Sequence, residues 1–317
     1  MMEPWLRLAA SQFSGSLPRI LLGAAAFGCL IGCGPESAVR DRRKDTLTSG
    51  VLRIAAEPDV FATVRATAEA FMKSYPEATI AVTARESREA MADVFENRAD
   101  LAVIGREIEP IERQAATEAA LEMEAYRWAR EGVAVIAHPS NPVNQVSYDD
   151  LREILSGEIT SWADLGGPDR RLVPVVQDPE KGLAQYVARQ VAEREAVSTA
   201  AVLAMDDAAV VREVRNRPDA LGFVAQPALG PGIKLLAVSR AKGMPYVELD
   251  AETVYHRDYP LTRSFNLVTR VPGVRLGHGF ITFATSEPGQ RLVRDDHRVP
   301  ATVPVRFNRR LPTASSH

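Results

Sequence analysis

EGVAVIAHPSNPVNQVSYDDLREILSGEITSWADLGGPDRRLVPVVQDPEKG, residues 131–182, carries more of the architecture than any other part of the chain. It reads as strand, loop, helix, turn, strand, loop. Residues 133–137 form a short apolar run closed by His138 and Pro139, and Ser140, Asn141 and Pro142 forbid a helix before Ser147. Ser147 then caps a helix whose buried face is Leu151, Ile154 and Leu155, spaced i, i+3, i+4, and Gly157 ends it. A second strand at 172–176 leads into a loop, residues 177–183, placed where a helix N-terminus would face a ligand.

Composition frames this stretch. The 317 residues are enough for two lobes of ordinary domain size. A net charge of -3 gives no basic stripe, which argues against a nucleic-acid partner. Aromatics are only 6%, and the abundance of Ala and Val suits helices stacked on buried parallel strands.

The start of the chain reads as a targeting segment. Arg7 and Arg19 precede an apolar run at 20–31, too short to span a bilayer comfortably but right for the core of an export signal. It ends in Leu30-Ile31-Gly32-Cys33, which resembles the lipobox of bacterial lipoproteins. That resemblance implies cleavage before Cys33, acylation of its thiol and a lipid anchor in a membrane of the cell envelope. The other reading is an uncleaved anchor with two incidental thiols. Cleavage removes Cys29, so the mature chain has no intramolecular disulfide. Residues 34–50 are polar, charged and aperiodic, a tether.

Beyond the tether, residues 51–55 are a strand, and Phe61, Val64, Ala68, Phe71 and Met72 recur at helical spacing up to Tyr75-Pro76. Ala56-Glu57-Pro58-Asp59 joins the two. Pro58 offers no N–H, and Asp59 is positioned to cap the helix and put its own carboxylate at the helix start. A strand at 79–83 follows, then Ala84-Arg85-Glu86-Ser87 and a helix marked by Met91, Val94 and Phe95. Ser87 is a natural N-cap, and Arg85 either reaches a cleft anion or pairs with Glu86. Asp100 opens the apolar strand at 101–104, and Arg106 lies just past it. Residues 110–120 suit a helix and Leu121, Met123 and Ala125 an exposed strand, unless the helix continues. Residues 208–214 are helical, 217–219 a turn and 221–224 a strand.

GVAVIAHPSNPV, LREILSGEITSWADLGGPD and, much later, YPLTRSFNLVT with FITFATSEPGQRLV resemble the phosphate-binding lipoproteins of bacterial ABC importers. The resemblance covers nearly all of 51–307. It implies a type II periplasmic binding protein fold: α/β, two lobes, each a mostly parallel sheet flanked by helices, joined by two hinge crossings. Lobe one would be 51–137 with 259–307, lobe two 138–258, and 308–317 a frayed tail. It also implies a monomer that binds a small oxyanion, phosphate first, in the cleft and delivers it to an ABC permease, with no cofactor, metal or catalysis. Carried over residue by residue, it points to Ser87, to Asp100 as acceptor from a protonated phosphate oxygen, and to Gln177, Lys181 and Gly182. There the family has an arginine followed by Ser-Gly-Thr. Only Gly182 matches that run.

Three lost donors at about 1.5 kcal/mol each amount to about 4.5 kcal/mol, or roughly a thousandfold in affinity. Lys181 and Arg85 restore some positive charge, but Glu57, Asp59, Asp178 and Glu180 oppose an anion. A binding-protein scaffold that has lost its solute and serves as an envelope interaction or sensing module is therefore the alternative. The five histidines are scattered, and no nucleophile elbow, P-loop or dinucleotide fingerprint occurs, so nothing favours an enzyme.

Overall fold

The computed structural model describes residues 45–192 and 201–301. The export segment, Cys33, residues 34–44 of the tether and the C-terminal residues from 302 on lie outside them.

Apolar periodicity sets the element order. β1 (Gly50–Ala56) passes through a 3-10 turn (Pro58–Val60) into α1 (Phe61–Ser74), which buries Val64, Ala68 and Phe71. β2 (Ala78–Ala84), α2 (Ser87–Phe95), β3 (Leu101–Ile104) and α3 (Pro110–Glu118) follow. Next come β4 (Glu122–Ala137), β5 (Gln145–Ser147), α4 (Tyr148–Ser156) and β6 (Val173–Gln177). α5 (Gly182–Val187), β7 (Val202–Ala204), α6 (Asp207–Asn216), β8 (Ala220–Ala225), β9 (Lys234–Ser239) and α7 (Ala251–His256) lead to the return. That return is β10 (Thr262–Val271), with α8 (Arg275–Thr285), α9 (Glu287–Asp295) and β11 (Val299–Pro300) after it.

The strands are ordered β2-β1-β3-β10-β4-β8-β6-β7. β2, β1 and β3 are parallel, as are β8, β6 and β7, while β10 and β4 enter antiparallel. Each lobe's sheet is thus mixed: parallel among its own strands and antiparallel where the crossing strands join. β4 serves both. Its residues up to Gly132 pair with β10, and from Val133 to Ala137 they pair with β8 and β9. The first crossing therefore falls at Gly132, not after Ala137. The second lies beside it, since the Val133 N–H donates to the Leu261 carbonyl at 2.7 Å and the Tyr259 hydroxyl to the Val133 carbonyl at 3.1 Å.

The two largest of four apolar clusters among the described residues flank the crossings. Leu52, Ile54, Phe71, Trp128, Phe265 and Phe280 pack in lobe one, and Val135, Leu151, Trp162, Leu183, Phe223 and Tyr259 in lobe two. Tyr259 and Leu261, assigned by sequence to the returning lobe-one segment, are in the lobe-two core. The exposed strand expected after residue 120 and the apolar run at 133–137 are one strand, β4. Its first half is half-exposed and its second half buried, so the hydrophobic pattern changes partway along an unbroken backbone. This arrangement brings the C-terminal ends of β1, β3 and β6 to face one another across the crossings.

Candidate functional site

Glu57 lies at the centre of the junction. It follows the last residue of β1, and Pro58 starts the 3-10 turn, so its side chain turns toward the other lobe. It is buried, 1% exposed. Its Oε2 accepts from the Ser87 hydroxyl at 2.5 Å and from the Gly105 N–H at 2.6 Å. Its Oε1 accepts from Arg263 Nη1 at 3.2 Å. Gly182, the first residue of α5 in lobe two, lies directly against it, and a Cβ there would collide with Oε1. Gly105 is under the same constraint: a Cβ would sit 2.8 Å from Oε2. Donors from lobe one and the hinge, with a glycine of lobe two, therefore close on one oxyanion, the carboxylate of Glu57 itself.

Arg263 holds the cluster together. It stands on β10, 1% exposed, and pairs with Glu57, with Asp59 at 2.8 Å and with Glu131. Its guanidinium lies 4.7 Å from the centre of the Phe265 ring. Arg298 adds a bond to Glu131 Oε2 at 2.7 Å and one to the Asp59 carbonyl at 2.6 Å. Burial opposes the charge of Arg263, but Glu131, Asp59 and Glu57 together hold its pKa well above the ordinary value. Burial raises the pKa of Glu57, Arg263 pulls it back down, and Asp59 raises it further; the net direction is upward.

Lobe two supplies the far wall. Asp207, at the start of α6, accepts from Gln177 Nε2 at 2.6 Å and from the Ala225 N–H at 3.3 Å. Burial, then the charges of Glu131 and Asp59, push its pKa up to about 7. Two further contacts tie the lobes together: Lys181 to Glu86 at 3.7 Å and Arg189 to Glu109 at 2.5 Å.

Of the residues picked out in sequence, Ser87 and Gly182 are in the cradle, and Asp59, Gln177 and Lys181 surround it. The helix caps differ from expectation. Asp59 does not cap α1, whose N-cap residue is Val60; it is spent on Arg263, and the carboxylate that Ser87 and Gly105 donate to is that of Glu57. Glu86, not Ser87, is the N-cap residue of α2, which frees the Ser87 hydroxyl for Glu57. Arg85 pairs with Asp93 at 3.2 Å, on its own side of α2. Asp100 is not brought into the cluster. It precedes β3 and accepts from the Arg53 N–H at 2.8 Å, whereas Gly105 lies past the other end of that strand, roughly 15 Å away at strand rise. Arg106 is bidentate to Glu112, at 2.8 and 2.6 Å.

Sequence reading missed Arg263, Glu131, Arg298 and Asp207, and gave Glu57 no role beyond its charge. A signal existed for two of them. Glu131 stands beside Arg130 just before the apolar run at 133–137, and Arg263 sits in a returning strand rich in apolar residues. A charge in such a strand stays buried only if paired.

The sequence profile of the PBP superfamily domain matches residues 42–288. Phosphate-binding protein PstS of Bacillus subtilis is 25% identical over 293 residues, covering 89% of this chain and 93% of its own. Among solved structures, a putative phosphate ABC transporter substrate-binding protein with bound phosphate from Clostridium perfringens superposes with a TM-score of 0.66 at 24% identity, over 80% of this chain and all (100%) of that one. An ABC-type phosphate transport receptor from Vibrio cholerae gives 0.70 at 20% identity, over 78% of this chain and 99% of that one. The chain belongs to the PBP superfamily and has its two-lobe fold.

Proposed function

We propose that the chain is the solute-binding component of an ABC importer, exported and held at a membrane by lipid on Cys33, with a cleft that takes phosphate or another small oxyanion. Its work is binding and delivery rather than catalysis. The observation that supports this best is the convergence of Ser87, Gly105, Gly182 and Arg263 on a single carboxylate. The named relatives, described as phosphate-binding, suggest the guest. Ser87 and Gly182 contact it in this reading, and Lys181 and Gln177 line the approach. Asp59 holds Arg263 in place, and Arg85 and Asp100 stay on their own partners.

Glu57 is the specific observation behind a second reading. An ionised carboxylate in the cradle excludes an anion by both volume and charge, as expected of a scaffold that has given up its solute and acts as an envelope interaction or sensing module. Titration calorimetry separates the two. The first expects saturable heat with inorganic phosphate, stronger at pH 5.5 than at pH 8, because the upward pKa of Glu57 lets protonation remove its repulsion as the pH falls. Absence of heat at both pH values with phosphate, sulfate, molybdate and acetate leaves only the second.

A further inference from the structure

A groove with a volume of about 740 Å³ opens between the lobes beside the cradle, and of the cradle residues only Gly105 borders it. Arg106, Glu107, Glu109 and Ile111 form its lobe-one wall, and Tyr186, Arg189, Arg240 and Arg257 its lobe-two wall.

The two walls differ in charge balance. Arg106 is neutralised by Glu112 and Arg189 by Glu109. Arg240 instead donates to the Arg257 carbonyl at 3.1 Å, and Arg257 to the Ser264 hydroxyl at 3.4 Å. Among the described residues neither guanidinium has a carboxylate partner. Arg130 lies cross-strand from Ser264, on the same face. It is buried, donates through Nη1 to the Tyr255 carbonyl at 3.1 Å, and has no partner for Nε among the described residues. Burial, then the like charges of Arg257 and Arg127, hold the pKa of Arg130 below its ordinary value. Arg130, which lies behind the groove rather than in its lining, thus repels Arg257, and neither Arg240 nor Arg257 pairs with a carboxylate among the described residues, an electrostatic cost that a bound anion would offset. Tyr186 makes no hydrogen bond to a described residue, and burial raises its pKa, so it faces the groove as a neutral phenol.

We propose that this groove is a second anion site, which binds an organic molecule with its phosphate or carboxylate head on Arg240 and Arg257 and its planar or apolar body against Tyr186 and Ile111. The volume suits such a ligand, since small-molecule sites run from roughly 300 to 1,000 Å³, and it is far too large for inorganic phosphate alone. Arginine forks match both kinds of head. The site goes beyond the cradle reading and does not require phosphate to enter there.

The test uses the full-length protein in equilibrium binding and thermal melting with phenyl phosphate, AMP, phenylacetate and inorganic phosphate. At least one of the three organic anions binds saturably and raises the melting temperature. The Arg240→Ala/Arg257→Ala pair weakens that binding at least about tenfold, the lower bound for losing a charge-assisted hydrogen bond. Arg257→Glu abolishes it, while Arg65→Ala, which removes an exposed arginine of α1 that does not line the groove, leaves it within about twofold. Both arginines are exposed, so the variants keep the parent's far-ultraviolet circular dichroism, which confirms that they fold. Failure of all three organic anions to bind, or equal binding by the double variant, overturns the proposal. Binding of inorganic phosphate alone, insensitive to Arg240 and Arg257, overturns it while leaving the cradle reading intact.

Discussion

At the scale of single residues, the site is a problem in burying charge. Glu57, Asp59 and Glu131 are gathered around Arg263 and Arg298, and removing one partner of a buried pair typically costs about 3–5 kcal/mol. Among the described residues no cation pairs with Asp207, and burial, with the charges of Glu131 and Asp59, raises its pKa to about 7. Its folded pKa is raised, so the folded state holds a proton that the unfolded state gives up above about pH 4. Stability from this group is therefore present at low pH and lost as the pH rises toward 7. Asp207→Asn cannot titrate and keeps an oxygen for one of the two donors, while the Gln177 amide can turn to meet the new NH2. The variant should gain on the parent between pH 4 and pH 8, by at most about 4 kcal/mol for a rise from 3.8 to about 7. Urea denaturation at the two pH values measures it; an equal difference between the two proteins at both would remove Asp207 from the pH response.

At the scale of elements, α4 shows where sequence reading works. Ser147 accepts from the Asp150 N–H at 3.2 Å, Asp150 reaches back to the Ser147 N–H at 2.9 Å, and Gly157 closes the helix in the left-handed region at φ 84. All three follow from local chemistry. Ser147→Ala should cost about 1 kcal/mol, or about 2–4 °C in melting temperature for a domain of this size. An unchanged melting temperature would mean that the cap does not limit stability. The strands and helices of both lobes and the alternation that builds α/β sheets were legible in the same way, whereas Ser87 and Gly182 were singled out only through the family resemblance. The rest was not, because its partners are far apart in the chain. Glu57 meets Arg263 across 206 positions and Glu131 meets Arg263 across 132, and no local pattern records which acid an arginine will find. Asp100 misled for the opposite reason: its flanking sequence matched, but its place at the start of β3 puts it at the wrong end of the strand.

At the scale of the molecule, Glu57 lies where the two lobes meet. It takes donors from the Ser87 hydroxyl and the Gly105 N–H, presses on Gly182 across the cleft and meets Arg263 at the crossing, while Lys181–Glu86 and Arg189–Glu109 act at the rim. The rim pairs are partly exposed, and such pairs contribute little, typically below about 1 kcal/mol. The Glu57 carboxylate instead meets lobe two by close packing against Gly182, while its hydrogen bonds go to lobe one and to the crossing strand β10. Glu57→Ala empties a space close to the size of phosphate and leaves Arg263 balanced by Asp59 and Glu131. Three freed donors at about 1.5 kcal/mol each give a dissociation constant on the order of a millimolar for inorganic phosphate. Hydrogen exchange reads both consequences. In the parent, the Gly105 amide and the start of α5 should be protected with or without phosphate. In Glu57→Ala they should exchange faster and recover protection as phosphate is added. Unchanged protection in the variant would mean that other contacts hold the cleft shut, and faster exchange that phosphate cannot reverse would mean that the cradle fits only the carboxylate it was built around.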